Sequence, residues 1–175
     1  MPAKKKTTTK KTTTTKRAPK IRKEATPKEE LGFLGEWLCQ EHFNIELSYN
    51  PLEEHHPQRN NKFDSEKDGV DPNGRNVEIK TQNRHPMGYF TVDTANKNQV
   101  KKCTEVTRLL FVEYDNSNDI KIWECHDRAY RILETKDGRK MASWPIKQMQ
   151  LLLTVGNIEY AERMRSLSSS KIIKK

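Results

Sequence analysis

The sequence predicts an α/β domain in which a mixed β-sheet of roughly five to seven strands is flanked by helices. Three observations carry this. A capped amphipathic segment starts at Thr26, residues 76–82 alternate apolar and polar side chains directly after a turn, and Leu109-Leu110-Phe111-Val112 is an unbroken apolar run, as a central strand covered on both faces requires. At 175 residues the chain can hold one domain with a real core, but not two.

The net charge of +9 is unevenly spread. Residues 1–28 hold eleven Lys or Arg against one Glu, residues 29–170 hold nineteen against twenty-three, and the last five residues add three lysines. Residues 1–25 are built almost wholly from Lys, Thr, Ala, Arg and Pro, with Ile21 the one sizeable apolar residue after Met1. Such a segment buries too little surface to offset the entropy of ordering, so a disordered basic tail is expected there. Its charge density suits nucleic-acid phosphates, bound in a salt-dependent way without reading sequence. Residues 26–165 are expected to form the folded domain, and 166–175 a second loose, basic end.

No apolar stretch follows the N-terminal charges as a secretory signal would need, and no run approaches the ~18 apolar residues that span a bilayer. Cys39, Cys103 and Cys125 are odd in number and widely spaced, which suggests buried reduced thiols and an intracellular protein, in cytoplasm or nucleoid, or in the nucleus of a eukaryotic host.

Thr26 as N-cap, Pro27 at the first helical position and Glu29 completing a capping box start a helix that runs to about Phe43. Leu31, Leu34 and Leu38 form its apolar stripe, with Trp37 beside them, and Glu36 lies off it, flanked by Gly32 and Gly35. Ile45, Leu47 and Tyr49 alternate in a first strand. His55 and His56 fall in a polar loop, where neighbouring side chains point apart and chelate poorly. Tyr89, Phe90 and Val92 suggest a short strand after a turn-rich link that carries Arg84 and His85. Thr94 or Asp93 caps a helix from Ala95 to about Cys103, with Lys97 and Lys101 on one face, where they can meet phosphate. Asp115–Asp119 turns the chain into an antiparallel strand through Ile120, Ile122 and Cys125. Tyr130, Ile132 and Glu134 lead to an Asp137-Gly138 hairpin and a return through Met141. Pro145 then opens a C-terminal helix with Ile146, Met149, Leu152 and Leu153 on its apolar face, ended by Gly156, and residues 157–165 add a helical turn or two. The sequence has no internal repeat, Gly-rich phosphate loop, Ser-His-Asp ordering or zinc-ligand spacing.

The chemistry concentrates in Lys67–Gln82. Pro72, Asn73 and Gly74 turn the chain sharply, and the strand that follows sends Glu78, Lys80 and Gln82 to one face and Val77 and Ile79 to the other. If the loop is Pro72–Gly74, Asp71 lies opposite Arg75 and Asp68 opposite Glu78. Two carboxylates side by side repel unless a cation sits between them. A divalent ion such as Mg²⁺, held by one or two carboxylates plus substrate phosphate, would meet that need, with Lys80 orienting water or neutralising charge on a phosphoryl group.

An acidic residue, a short turn and Glu-x-Lys in an apolar strand resemble the signature of the PD-(D/E)XK, or restriction-endonuclease-like, nuclease superfamily; Asp68, Glu78, Ile79 and Lys80 carry the likeness. It implies an αββαβ core and Mg²⁺-dependent hydrolysis of phosphodiester bonds, with Mn²⁺ as an alternate ion. Asp68, Glu78 and Ile79 would belong to the metal site, Lys80 would lie near the attacking water, and Gln82 is similar to a glutamine that some branches place two residues after the lysine. Glu36 stands where many relatives have a first-helix glutamate that completes the site. No proline precedes Asp68, and Asp64 and Asp71 compete for the acidic position. The implied substrate is DNA, with RNA as a lesser alternative, and cutting both strands at one locus would favour a homodimer. The principal rival is an inactive nucleic-acid-binding or packaging protein on a nuclease-like fold.

Overall fold

The computed structural model describes residues 27–48 and 67–169. The basic tail of residues 1–25, Thr26, Tyr49, His55, His56 and Asp64 lie outside the described residues, as do residues 170–175. Helix α1 (Pro27–Phe43) has Pro27 in its first turn, where no backbone donor is lost, and Glu29 and Glu30 against the positive end of the helix dipole. Strands β1 (Glu46–Leu47), β2 (Gly69–Val70) and β3 (Asn76–Asn83) pair antiparallel in sequence order. Strand β4 (Tyr89–Asp93) then leaves the sheet, and helix α2 (Lys97–Glu105) carries the chain across to β5 (Arg108–Tyr114), which runs parallel to β3. A parallel neighbour needs such a crossover. Strand β6 (Asp119–Cys125) returns antiparallel to β5.

The main sheet is mixed and six-stranded, in the order β1-β2-β3-β5-β6-β9, where β9 is Gln150–Gly156. A second sheet joins β4, β8 (Lys140–Pro145) and β7 (Arg131–Glu134). Helix α3 (Ile158–Ser169) closes the described chain. The fold is therefore α/β with three helices, and none is long and apolar enough to cross a membrane among the described residues.

Two apolar layers cover the main sheet. On one face Leu31 and Leu38 of α1 and Ala161 and Met164 of α3 pack on Val77, Ile79, Leu110, Val112 and Ile122. On the other, Phe90, Trp144 and Cys103 pack on Leu109 and Phe111, with the Phe90 and Phe111 rings stacked at 4.3 Å. Every residue of β5 is buried, as its apolar run requires. Cys39, Cys103 and Cys125 are free and buried.

Several expectations need correction. The segment after Pro145 makes only a 3-10 turn (Ile146–Gln148) before β9, which pairs with β6 through Ile122↔Leu153 and Ile120↔Val155. Ile146, Met149, Leu152 and Leu153 fit helical spacing, but the run from Leu151 to Val155 serves equally as a strand, and β6 offers an unpaired edge. Ile158–Ser169 form a full helix where residues 157–165 are expected to add a turn or two, and α3 reaches into the stretch expected to be loose. Helix α2 is capped by Asn96, whose side chain accepts from the Gln99 N–H, and not by Thr94 or Asp93. The second hairpin loop is Lys136–Gly138, longer than the Asp-Gly pair, because Thr135 N–H donates to the Arg139 carbonyl at 2.8 Å and Gly138 takes a φ of +79°.

Helix α1 approaches β3 most closely at Gly35. A Cβ there would lie 1.8 Å from Thr81 Oγ1 and 3.1 Å from Thr81 Cβ, so rotating the threonine can remove the first clash but leaves the second, tight approach. At Gly32 a Cβ would meet nothing within 4 Å. Gly35→Ala should therefore cost about 1–3 kcal/mol by overpacking, while Gly32→Ala should add about 0.5–1 kcal/mol through helix propensity. Denaturant unfolding of the two variants measures this, and effects of the same sign would show that the helix does not sit so close.

Candidate functional site

The site is built on the β2–β3 hairpin, whose geometry the turn dictates. Asp71 N–H donates to the Arg75 carbonyl at 3.0 Å and Gly74 N–H to the Asp71 carbonyl at 2.9 Å, leaving Pro72–Gly74 as the loop with Gly74 at φ +76°. The pairs Gly69↔Val77 and Val70↔Asn76 follow, with Asp71 opposite Arg75, and Asp68, next beyond the Gly69↔Val77 pair, donates its N–H to the Val77 carbonyl at 2.9 Å beside Glu78. The register is the one the loop composition predicts.

The two aspartates flanking β2 are engaged differently: Asp68 on the Ile79 N–H, Asp71 on the turn and on Arg108. Asp71 is buried and wholly engaged at the turn: its carboxylate accepts from the Asn73 and Arg75 N–H groups, from Arg75 Nε at 2.7 Å and from Arg108 Nη1 at 3.3 Å. Burial pushes this carboxyl up, but the Arg75 and Asn73 hydrogen bonds outweigh that and hold it below the usual range. Asp71 is a turn anchor, which leaves the acidic position beside Glu78 to Asp68 among the described residues.

Asp68 Oδ2 accepts from the Ile79 N–H at 2.7 Å, which fixes the carboxylate at the edge of β3. The carbonyl of a strand residue points the same way as its N–H, so the Ile79 carbonyl faces that edge too. Glu78 is 0 % exposed. Lys80 Nζ donates to its Oε1, while Oε2 is buried and has no hydrogen-bond partner. Burial first, and then the Asp68 charge, push the Glu78 carboxyl up to about 7 against the opposing pull of Lys80 and Lys102. Lys80, with its side chain 22 % exposed, is pushed down by burial but held well above its ordinary value by Asp68 and then Glu78. It is therefore a cation at neutral pH, fitted to orient or neutralise and not to act as a base. Beneath the cluster, burial and the Glu78 charge outweigh Lys80 and push the Cys103 thiol up to about 12.

The other expected residues lie apart from these three in different ways. Gln82 shares the face of Glu78 and Lys80, but its amide is taken up by β4: Nε2 donates to the Tyr89 carbonyl at 2.9 Å and Oε1 accepts from the Thr91 N–H at 2.8 Å. It joins the two sheets, an employment the sequence could not signal because its partner is a distant backbone. Glu36 is buried in α1, which covers the opposite face of β3. It and Asp68 both raise the buried Cys39 thiol, after burial itself, so the two acids bear on one common group. Arg84 is exposed beyond the end of β3 and meets Asp115 at 3.4 Å. Lys97 and Lys101 line a groove on the flank of α2, where Lys101 pairs with Glu105 at 3.8 Å. Lys102 was not among the expected ligands, yet its charge acts on Glu78.

As a hard-oxygen donor set, the carboxylates of Asp68 and Glu78 with the Ile79 carbonyl fit Mg²⁺ or Mn²⁺, and the partnerless Glu78 Oε2 is the observation that favours the fit. Among the described residues no three His, Cys, Asp or Glu side chains gather as a metal ligand group, so Glu36 is not a direct third ligand beside Asp68 and Glu78; the part expected of it is through a water. A site of two carboxylates finished by water and phosphate is the habit of Mg²⁺.

The raised Glu78 pKa has a definite sign in stability. Below pH 4.5 the carboxyl is neutral in folded and unfolded chains; between 4.5 and about 7 only the unfolded chain ionises, and stability drains away; above about 7 the loss is complete. In chelator-containing buffer, the stability of Glu78→Gln relative to the parent should thus rise by about 3 kcal/mol across that window. A difference independent of pH, measured by denaturant titration, would contradict this electrostatic account.

Compared with protein-family models the chain matches none, and no curated protein matches it in sequence.

Proposed function

We propose that the protein is a metal-dependent deoxyribonuclease that hydrolyses phosphodiester bonds. The observation that carries this reading is the convergence of Asp68 and Glu78 across the hairpin, with Lys80 on Glu78 and Glu78 Oε2 buried without a partner. The order of elements supports a restriction-endonuclease-like core: α1, three antiparallel strands, then α2 crossing to β5 parallel to β3, with β4 and its small sheet as additions.

Asp68, Glu78 and the Ile79 carbonyl would hold Mg²⁺ or Mn²⁺, which supplies a water of lowered pKa and a Lewis acid for the phosphoryl oxygen. Asp68 is held in place by the Ile79 N–H and needs no reorientation. Lys80, protonated, offers its ammonium to the attacking water or to charge growing on the phosphoryl oxygens. Lys97, Lys101 and Arg84 are the exposed cations assigned to backbone phosphate, and the N-terminal Lys/Thr-rich segment adds non-specific affinity. Cutting both strands at one locus would call for a homodimer, and reduced thiols fit an intracellular setting.

One observation favours a second reading, a nucleic-acid-binding or packaging protein without hydrolysis: Glu78 is wholly buried, and Lys80 is already engaged with it. Incubation with supercoiled plasmid separates the two. An enzyme leaves nicks in Mg²⁺ or Mn²⁺ but not in EDTA, whereas a binder shifts the band in all three. Lys80→Ala should keep DNA binding and reduce nicking by at least about 100-fold; a variant that cuts as fast as the parent removes Lys80 from the chemistry. Deleting residues 2–25 should weaken binding and flatten the dependence of log K on log salt, and an unchanged slope would show that the segment makes no phosphate contacts.

A further inference from the structure

The geometry points to a second nucleic-acid subsite, a groove between α2 and the start of β7 that takes single-stranded DNA, with an unpaired base against Tyr130 and adjoining phosphates on Lys97 and Lys101. This rests on the nucleic-acid reading above and deepens it by naming the form of the substrate.

The groove has a volume of about 300 Å³ and is lined by Thr94, Lys97, Val100, Lys101, Thr104 and Tyr130. Tyr130 is 41 % exposed. Its ring is backed by the buried Trp144 at 5.5 Å and an angle of 54°, and Trp144 is itself fixed by Nε1 donating to the Arg128 carbonyl at 3.3 Å. A large aromatic side chain that is open on one side and supported on the other is a stacking platform prepared before any ligand arrives. Val100 extends the apolar floor beside it.

The walls add the complementary charge. Lys97 and Lys101 stand one helical turn apart, about 5–6 Å between Cβ atoms, so one strand of phosphates can engage both. The Lys101–Glu105 pair, at 3.8 Å with both side chains about two-thirds exposed, is of the weak kind that a phosphate displaces. Thr94 Oγ1 donates to the Lys140 carbonyl and Thr104 Oγ1 to the Lys101 carbonyl, which leaves lone pairs on both oxygens for base N–H groups. A base inside a duplex has no free face to offer Tyr130; an unpaired one does.

Position links the groove to the candidate site. Within α2, Cys103 is buried on the same face of the sheet as Phe111, where the charges of Glu78 and Lys80 act on it, and Lys102 acts on Glu78, while Val100, Lys101 and Thr104 line the groove. The two sites thus occupy opposite flanks of one short helix, and a strand that crosses the exposed side of α2 joins them.

The test uses the full chain in EDTA, so that no cutting intervenes, with fluorescence anisotropy on a short labelled oligodeoxythymidine and on a blunt duplex. Tyr130→Ala should weaken single-strand binding about tenfold and leave duplex binding within about twofold, and Tyr130→Phe should restore it. Lys97→Gln with Lys101→Gln should lower single-strand affinity more than duplex affinity. An equal loss on both ligands, or none on the single strand, overturns the subsite. Should Tyr130→Ala prove unfolded by circular dichroism, the lysine pair decides by the same ratio. An oligouridine whose binding depends more on Tyr130 than the DNA strand's does overturns the assignment to DNA. Because no metal is present, failure of the hydrolase reading, seen as absence of nicks, leaves this result separately readable.

Discussion

The arrangement of this protein depends on a buried ionic clasp at the tip of the β2–β3 hairpin. Arg108 at the start of β5 meets both oxygens of Glu124 on β6, at 3.2 and 3.3 Å, and Asp71 at 3.3 Å, while Arg75 closes the circuit with Asp71. The Arg108 guanidinium also lies 5.4 Å from the Phe43 ring at the end of α1. Arg108, Asp71 and Glu124 are buried, and Arg75, with 39 % of its side chain exposed, supplies the second cation that balances the two carboxylates; loss of Arg108 would strand both acids at a cost of about 3–5 kcal/mol. The clasp joins the hairpin turn to β5, β6 and α1. Sliding β2 by one residue would turn Asp68 away from Glu78 and pull Asp71 out of the clasp, so the register that creates the candidate site is held by charges on the opposite face of the sheet.

That division of labour between faces explains why β3 tolerates a sequence that is locally inconsistent. Val77 and Ile79 enter the α1–α3 core, as an alternating strand should. On the other face Glu78 is wholly buried, with one oxygen on Lys80 and the other unpartnered, a combination that costs stability and that no packing argument calls for. Charge burial against the interest of the fold is the usual mark of a functional position. Asp71 and Glu124 are buried as well, but each is saturated by arginines; Glu78 is not.

What the sequence disclosed follows the range of the interactions involved. The hairpin register was legible because Pro72-Asn73-Gly74 sets the loop length locally, and α1 because its first turn and apolar stripe lie within one segment. The strand from Leu109 to Val112 declared itself by unbroken apolarity. β9 did not, since Leu152 and Leu153 satisfy a helix or a strand equally, and only the open edge of β6 decides. Gln82 read as a companion of Lys80 because strand parity puts it on that face; that its amide holds the Tyr89 and Thr91 backbones depends on where β4 goes. Tyr130 and Lys102 were invisible for the same reason, as each gains its meaning from an element far away in the chain.

The charge map gives the proposed activity its physical order. Residues 29–170 carry four more acidic than basic residues, so the body of the protein repels a polyanion at long range. Net attraction would come from the two ends, chiefly the first 28 residues with a charge of +10 and to a lesser degree the three lysines of the last five, and it falls with salt because it acts through counterions. Such attraction brings a strand near without choosing its orientation. Orientation needs short-range contacts that screening spares, and in the proposed reading Lys97 and Lys101 on α2, Arg84 beyond β3 and Lys80 beside two acids would supply them. On the proposed reading, capture falls to the basic ends of the chain and alignment to α2, and a dication held by Asp68 and Glu78 would, with Lys80, reverse the local sign of an otherwise acidic body at the one place where a phosphate would have to enter.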